Sequence, residues 1–419
     1  MTETTTAPVT APAPDAGDSP ASDPGSAPAG AMARSAGPKS TGPKAAGRPR
    51  LAALDALRFV AALGVLVYHY VAVNHQAWGA ETAESFPDAQ PVAAFGSFGV
   101  QLFFVISGFV ILMSAWGRGV RSFTASRVGR LFPAYWLSIV AVLLLLLVVA
   151  PGTKDVGLSE TAANVTMAQR AFGMQDLEPV YWTLWTELRF YVLIGVLLAV
   201  GMTRNRLIAF ATLWPLAAVV AARSDHELAA TVLVGTDAPL FAGGMMLFLL
   251  VRERRAVAPW LVLAGNVVLA CAVSGRSQSL RIATSTGVTV DPQAYWPAIA
   301  ACFALVALIA LTPVNRLSWR WLTVAGALTY PLYLLHSSWG EWLIERLYPH
   351  LPMVVTFAVV TLTMLGAAYL VHRFVERPLG PRLRRAVERD LDRIVRALTP
   401  RRDGVTSDQS AEVEPAASR

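Results

Sequence analysis

Six ionisable side chains lie inside long apolar runs of this sequence, where each is costly without a partner or a role. They are Asp55, Arg58 and His69 in one run, Glu187 and Arg189 in a second, and His336 in a third. Arg58 and His69 are eleven residues apart. On a helix that is ~1100°, about 20° from three full turns, so both face one side with a rise of roughly 16 Å. Asp55, three residues before Arg58, can pair with it. Glu187 sits in WTLWTELRFY and is expected at the level of His69, where a carboxylate would fix the imidazole tautomer and favour its protonated form. Arg189 faces away from Glu187 and suits a partner elsewhere in the bundle or an interface anchor. His336 ends YPLYLLH and suits either an interhelical hydrogen bond or a place in the site. Arg127 and Arg130 in SRVGRLFPAYW share one side; they either anchor the chain at the membrane surface or hold a multiply anionic ligand. The chemistry these types allow is a buried imidazole acting as base on a hydroxyl, reached along an arginine-lined path.

The elements that position these groups are membrane spans. The chain has 419 residues, 54% of them apolar and 15% charged, with mean hydropathy +0.48. That is greasier and less charged than a soluble domain. The apolar residues come in blocks of about 20, the length that crosses a hydrocarbon core as a helix. Ten spans are expected, at 54–74, 93–115, 132–150, 181–201, 206–222, 228–251, 257–274, 295–312, 321–345 and 352–374. The fold class is therefore an all-α membrane bundle. Loops after even-numbered spans hold 11 Lys or Arg and the opposite loops 6, which puts both termini in the cytoplasm. Residues 119–131 and 382–398 mix arginines with regularly spaced apolar residues and are expected to lie at the inner membrane surface. Residues 1–50, rich in Ala, Pro, Ser, Thr and Gly with Lys39, Lys44, Arg48 and Arg50 near the end, are expected to be a disordered cytoplasmic tail. The domain boundaries are 1–50, 51–378 for the membrane domain, and 379–419 for an amphipathic helix with a second tail.

The net charge of +7 is spread over loops and tail rather than one face, which argues against nucleic acid as partner. Cys271 and Cys302 are the two cysteines, each in an apolar run; they read as packing residues, and no metal site is expected. Ser107–Gly108, within FGSFGVQLFFVISGFVI, favour close helix approach. VERPLGPRL after the last span reads as a stop signal. No P-loop, GxSxG, HExxH or dinucleotide fingerprint occurs in a fitting context.

Together these pieces resemble the integral-membrane acyltransferase-3 family, typified by surface-glycan O-acetyltransferases. The resemblance rests on Arg58-x10-His69, FGVQLFFVISGF, Arg127-x-x-Arg130 with Pro133-x-Tyr135, and Trp182-Thr-Leu-x-x-Glu187-x-x-Phe190-Tyr191. YPLYLLH ending at His336 and Glu376-Arg377-Pro378 complete it, all in the family's order over 51–378. Gln101 stands where members carry Asp or another polar residue, and Thr183 where Ser is usual. The resemblance implies a membrane enzyme of the cell membrane that moves an acyl group, most simply acetyl, from cytoplasmic acyl-CoA to a hydroxyl of a carbohydrate or glycosylated metabolite. It implies His69 and Glu187 as the catalytic pair and Arg58, Arg127, Arg130, Tyr135, Trp182, Tyr191 and His336 as substrate-binding. No permanently bound cofactor is expected; acyl-CoA is a co-substrate, and the partners are the acceptor and membrane lipid. A proton-coupled transporter or flippase using His69 and Glu187 as a relay is the alternative, and a non-catalytic scaffold would not need the aligned Arg58 and His69.

Overall fold

The computed structural model describes residues 51–398 apart from 225. The expectations for the tails, 1–50 with their four basic residues and 399–419, lie outside the described residues. The fold is all-α, with no strand among the described residues. The long helices are α1 (Ala52–Val71), α2 (Gly99–Ala115), α3 (Val120–Leu144), α4 (Tyr181–Val200), α5 (Arg204–Arg223) and α6 (Ala238–Arg252). They continue with α7 (Val257–Thr286), α8 (Trp296–Leu311), α9 (Arg320–Leu347), α10 (Met353–Val371) and α11 (Arg377–Leu398). Nine helical stretches among the described residues are long and apolar enough to cross a membrane. The expected span at 321–345 corresponds to α9, which has 28 residues and so a length of ~42 Å. Its Thr, Tyr, His and Ser residues leave it less apolar than the nine, because it carries polar groups of the site.

Glycines set how closely the helices approach. On α9, Gly326 lies against the side chain of Asp55 and Gly340 against the hydroxyl of Tyr70, so α1 and α9 run parallel and in contact. Gly96 and Gly99 meet the carbonyls of Gly64 and Ala61, which pairs α2 antiparallel to α1. Gly108 meets Phe241 and Gly244 meets Val105, which pairs α6 antiparallel to α2. At such places a Cβ would overlap backbone, so the small residue is what permits the packing. Stacked rings fill the core between α2, α4 and α6: Phe104 on Phe241 at 4.7 Å and Phe190 on Phe241 at 4.4 Å.

Two prolines inside helices free a carbonyl four residues earlier, and each carbonyl faces a neighbouring helix. Pro215 frees Ala211, whose oxygen accepts from Asn266 Nδ2 on α7 at 3.0 Å. Pro133 frees Gly129, whose oxygen faces Gly380 on α11 at the closest approach of α3 and α11.

Two expectations need correction, those for 119–131 and for the end of the seventh span. Residues 119–131 do not form a separate surface segment; α3 starts at Val120 and runs through Pro133, because its polar turns are covered by α11. Residues 382–398 belong to α11, joined to α10 by a π turn at His372–Glu376. This helix packs along α3, with Arg121 Nη1 on Asp392 at 2.6 Å, so one side of it meets protein. The seventh helix runs twelve residues beyond the expected end of the span and places Arg276 and Arg281 inside α7 rather than in a loop.

Candidate active site

His69 stands in the last turn of α1, half-buried. Its Nδ1 is 2.9 Å from the Val65 carbonyl and 3.2 Å from Nε2 of His336. His336, on α9 just past Pro331, is 1% exposed, and its Nδ1 is 2.9 Å from the Tyr333 carbonyl. A carbonyl can only accept, so each Nδ1 carries the proton. His69 Nδ1–H is then shared between the Val65 carbonyl and the lone pair of His336 Nε2, and Nε2 of His69 is left as the free base. The rings meet edge to face with centroids 4.9 Å apart. His336 is locked behind by Tyr70, whose hydroxyl donates to the His336 carbonyl at 2.8 Å. His75, beyond the helix end, sits with Nε2 3.1 Å from the His69 carbonyl and accepts at Nδ1 from the Ala77 N–H. Burial pushes His75 below the ordinary imidazole range, which keeps a second positive charge away from His69.

Glu187 is not the neighbour of His69. Its Oε1 accepts from Ser107 on α2 at 2.7 Å, and the Tyr191 hydroxyl also bonds to it. It shares an electrostatic neighbourhood with Arg58 and, through Tyr191, with Arg127. The expectation placed it opposite His69 by depth alone. The structure sets it in the electrostatic neighbourhood of Arg58 instead. Arg58 feels Arg130, Glu187, Asp55 and Tyr191. Arg127 stacks at 5.9 Å over both Phe123 and Tyr191, and its buried Nε has no partner. Arg130 is exposed. Three guanidinium groups thus lie toward the Arg58 end, and the imidazole pair lies at the other.

Between the two clusters, α9 presents Tyr330, Tyr333 and His336 at steps of three. Tyr330 donates to the Leu131 carbonyl at 3.1 Å, and the Tyr333 hydroxyl is 2.7 Å from that of Thr183. Trp182 is half-buried and carries the guanidinium of Arg281 at 3.8 Å from its ring centre. Tyr135 departs from its expected substrate-binding place: it is fully buried, its hydroxyl bonds the Asn164 carbonyl at 2.7 Å, and its ring packs on Tyr181. It braces the connection that precedes α4. Arg189 reaches the Thr231 carbonyl and stacks on Trp185, so it has a partner within the protein. Cys271 and Cys302 are free and buried, and no group of three metal-ligating side chains occurs among the described residues.

Several residues of the site escaped the sequence reading. Gln278, Arg281 and Ser285 lie beyond the expected seventh span at 257–274. In the structure they face inward from α7: Gln278 bonds Gln101 at 2.7 Å, Arg281 stacks on Trp182, and Ser285 is 2.6 Å from the Tyr68 hydroxyl beside His69. Their spacing of three and four is the helical signal that was there to be read. Glu178, in the connection before α4, is fully buried. Its Oε2 accepts from Ser338 at 2.9 Å while Oε1 has no partner. Burial pushes it up to about 8, so it is a neutral acid at neutral pH.

The family model for an acyltransferase domain, Acyl_transf_3, matches residues 51–373. No curated protein and no solved structure matches the chain.

Proposed function

With residues 51–373 this chain belongs to the acyltransferase-3 family and is a multi-pass membrane acyltransferase, and from that premise we propose that it moves an acyl group from acyl-CoA to a hydroxyl of a carbohydrate or glycosylated metabolite at the cell membrane. The observation that carries the reading is the His69–His336 pair with its assigned protons. His69 Nε2 takes the proton of the acceptor hydroxyl as that oxygen attacks the thioester carbonyl. The imidazolium so formed keeps its Nδ1–H shared between the Val65 carbonyl and the neutral lone pair of His336, hydrogen bonds that strengthen as charge develops. The C–S bond breaks, and the leaving thiolate recovers the proton from His69.

The phosphates of CoA fit the Arg58 end, where Arg58 and Arg130 lie close and Arg127 has an unsatisfied buried Nε. Glu187, Tyr191 and Ser107 hold that end in register rather than supporting the base. The narrow pantetheine arm then follows Tyr330 and Tyr333 to His69, roughly 16 Å along α1. Acceptor hydroxyls arrive from the Trp182 and Arg281 side. A proton-relay transporter would need a continuous chain from His69 to Glu187; instead Glu187 bonds Ser107 and Tyr191.

Mass spectrometry of envelope glycans and secreted glycosylated metabolites, from cells with and without the gene, tests the reading. A product lighter by one acyl group in its absence supports it. Unchanged acylation together with changed export of a glycosylated compound would point to transport.

A further inference from the structure

Beside α4 lies a cavity of about 650 Å³ lined by Arg170, Gln175, Asp176, Trp185, Arg189 and Thr231 among others. Its size falls within the ~300–1,000 Å³ of ligand sites. We propose that it is the subsite for a non-reacting sugar ring of the glycan acceptor, a reading that rests on the carbohydrate acceptor proposed above.

The lining is ordered before any ligand arrives. Arg170 grips Asp176 Oδ2 with Nε at 2.8 Å and Nη2 at 2.6 Å, and Gln169 holds Oδ1 at 2.6 Å. Arg189 lies 5.2 Å over the Trp185 ring. All three of its nitrogens are engaged, Nε with the Trp185 carbonyl, Nη1 with the Thr231 carbonyl and Nη2 with Thr186 Oγ1. Both guanidinium groups are therefore occupied by protein oxygens, and neither offers an empty fork to a phosphate. What remains is an indole beside flat, fixed groups with spare hydrogen-bonding capacity at their edges. That combination suits a sugar, whose ring has an apolar C–H face and a rim of hydroxyls. Because the walls are already fixed, little ordering cost opposes binding.

The cavity also connects to the reacting end. Trp182 stands one turn before Trp185 on α4, and it too carries a stacked guanidinium, that of Arg281. Asp237 feels both Arg189 and Arg281 and lies 3.9 Å from the latter. Two indole–guanidinium pairs in succession thus lead from the cavity past Asp237 to Ser285, Tyr68 and His69. A glycan with one ring at Trp185 would place its next ring near Trp182.

The test uses the full chain in nanodiscs and saturation-transfer NMR. The probe is an equimolar mixture of the methyl glycosides of glucose, galactose, N-acetylglucosamine, rhamnose and glucuronic acid. At least one is expected to receive saturation, to lose it about fivefold or more in Trp185→Ala and in Gln175→Ala, and to keep it in His69→Ala. Absence of transfer above empty nanodiscs, or transfer unchanged in both cavity variants, overturns the proposal. Acyl-CoA binding measured on the same samples separates the two readings. Lost CoA binding with retained saccharide binding refutes the acyl-CoA donor alone, and the reverse refutes the subsite alone.

Discussion

Replacing Glu178 by glutamine should flatten the pH dependence of stability while leaving the fold intact. The carboxyl is fully buried, with Ser338 donating to one oxygen and nothing bonded to the other. Glu341, Lys154, Tyr70 and Tyr181 face it. The Lys154 ammonium is held by the Asp176 and Leu177 carbonyls, at 2.7 and 3.3 Å, and so does not neutralise it directly. Burial raises Glu178 from 4.5 to about 8. Because the folded state holds this proton more tightly than the unfolded chain, its contribution is fully present below pH ~4.5 and is lost as pH rises towards 8. At ~1.4 kcal/mol per pH unit the ceiling is on the order of 5 kcal/mol. Glutamine cannot ionise and keeps an acceptor for Ser338. Thermal unfolding of both proteins in one detergent, from pH 5 to 9, should show the wild type falling several degrees relative to the variant up to pH ~8 and running parallel above it. Parallel curves across the whole range would show that Glu178 ionises freely in the folded protein and would refute the reasoning.

Other outcomes follow from the same geometry. His336→Gln should lower kcat ~10–100-fold with the KM for acyl-CoA unchanged, since a hydrogen bond to a charged group contributes ~1.5–3 kcal/mol; a change in KM alone would place His336 in donor binding. Arg127→Ala and Arg130→Ala should raise the acyl-CoA KM with a smaller change in kcat, and titration with CoA itself checks this. Gly340→Ala should destabilise by ~1–3 kcal/mol, because its Cβ meets the Tyr70 hydroxyl that holds His336. Gly366→Ala, with open space around it, is the thermal-unfolding control.

Much of the bundle could be read from sequence because a span announces itself by composition. The ends at Tyr181, Arg204 and Trp296 fall within two residues of expectation. The failures have one physical cause. Where a helix turns polar residues toward other protein, as α7 does with Gln278, Arg281 and Ser285 and α3 does below Pro133, composition looks like a loop while the backbone stays helical. The site divides the same way. The single-helix alignment of Arg58 with His69 is a matter of spacing within one chain segment and was legible. Which side chain on another helix meets His69 depends on Gly326 and Gly340 drawing α9 against α1, and depth alone assigned Glu187 instead of His336. Tyr135 shows the limit of motif spacing, since its hydroxyl is committed to a backbone carbonyl.

The central claim is that His69 is the base of a CoA-dependent acyl transfer. It is tested most directly by following free thiol released from acetyl-CoA by the purified protein in nanodiscs, supplied with the envelope fraction of its own cells, for the wild type and His69→Ala. The account predicts release with the wild type and a loss of ~10²–10⁴-fold in the variant, with CoA binding retained. Equal release from both proteins, or none from either while CoA binds, would contradict it.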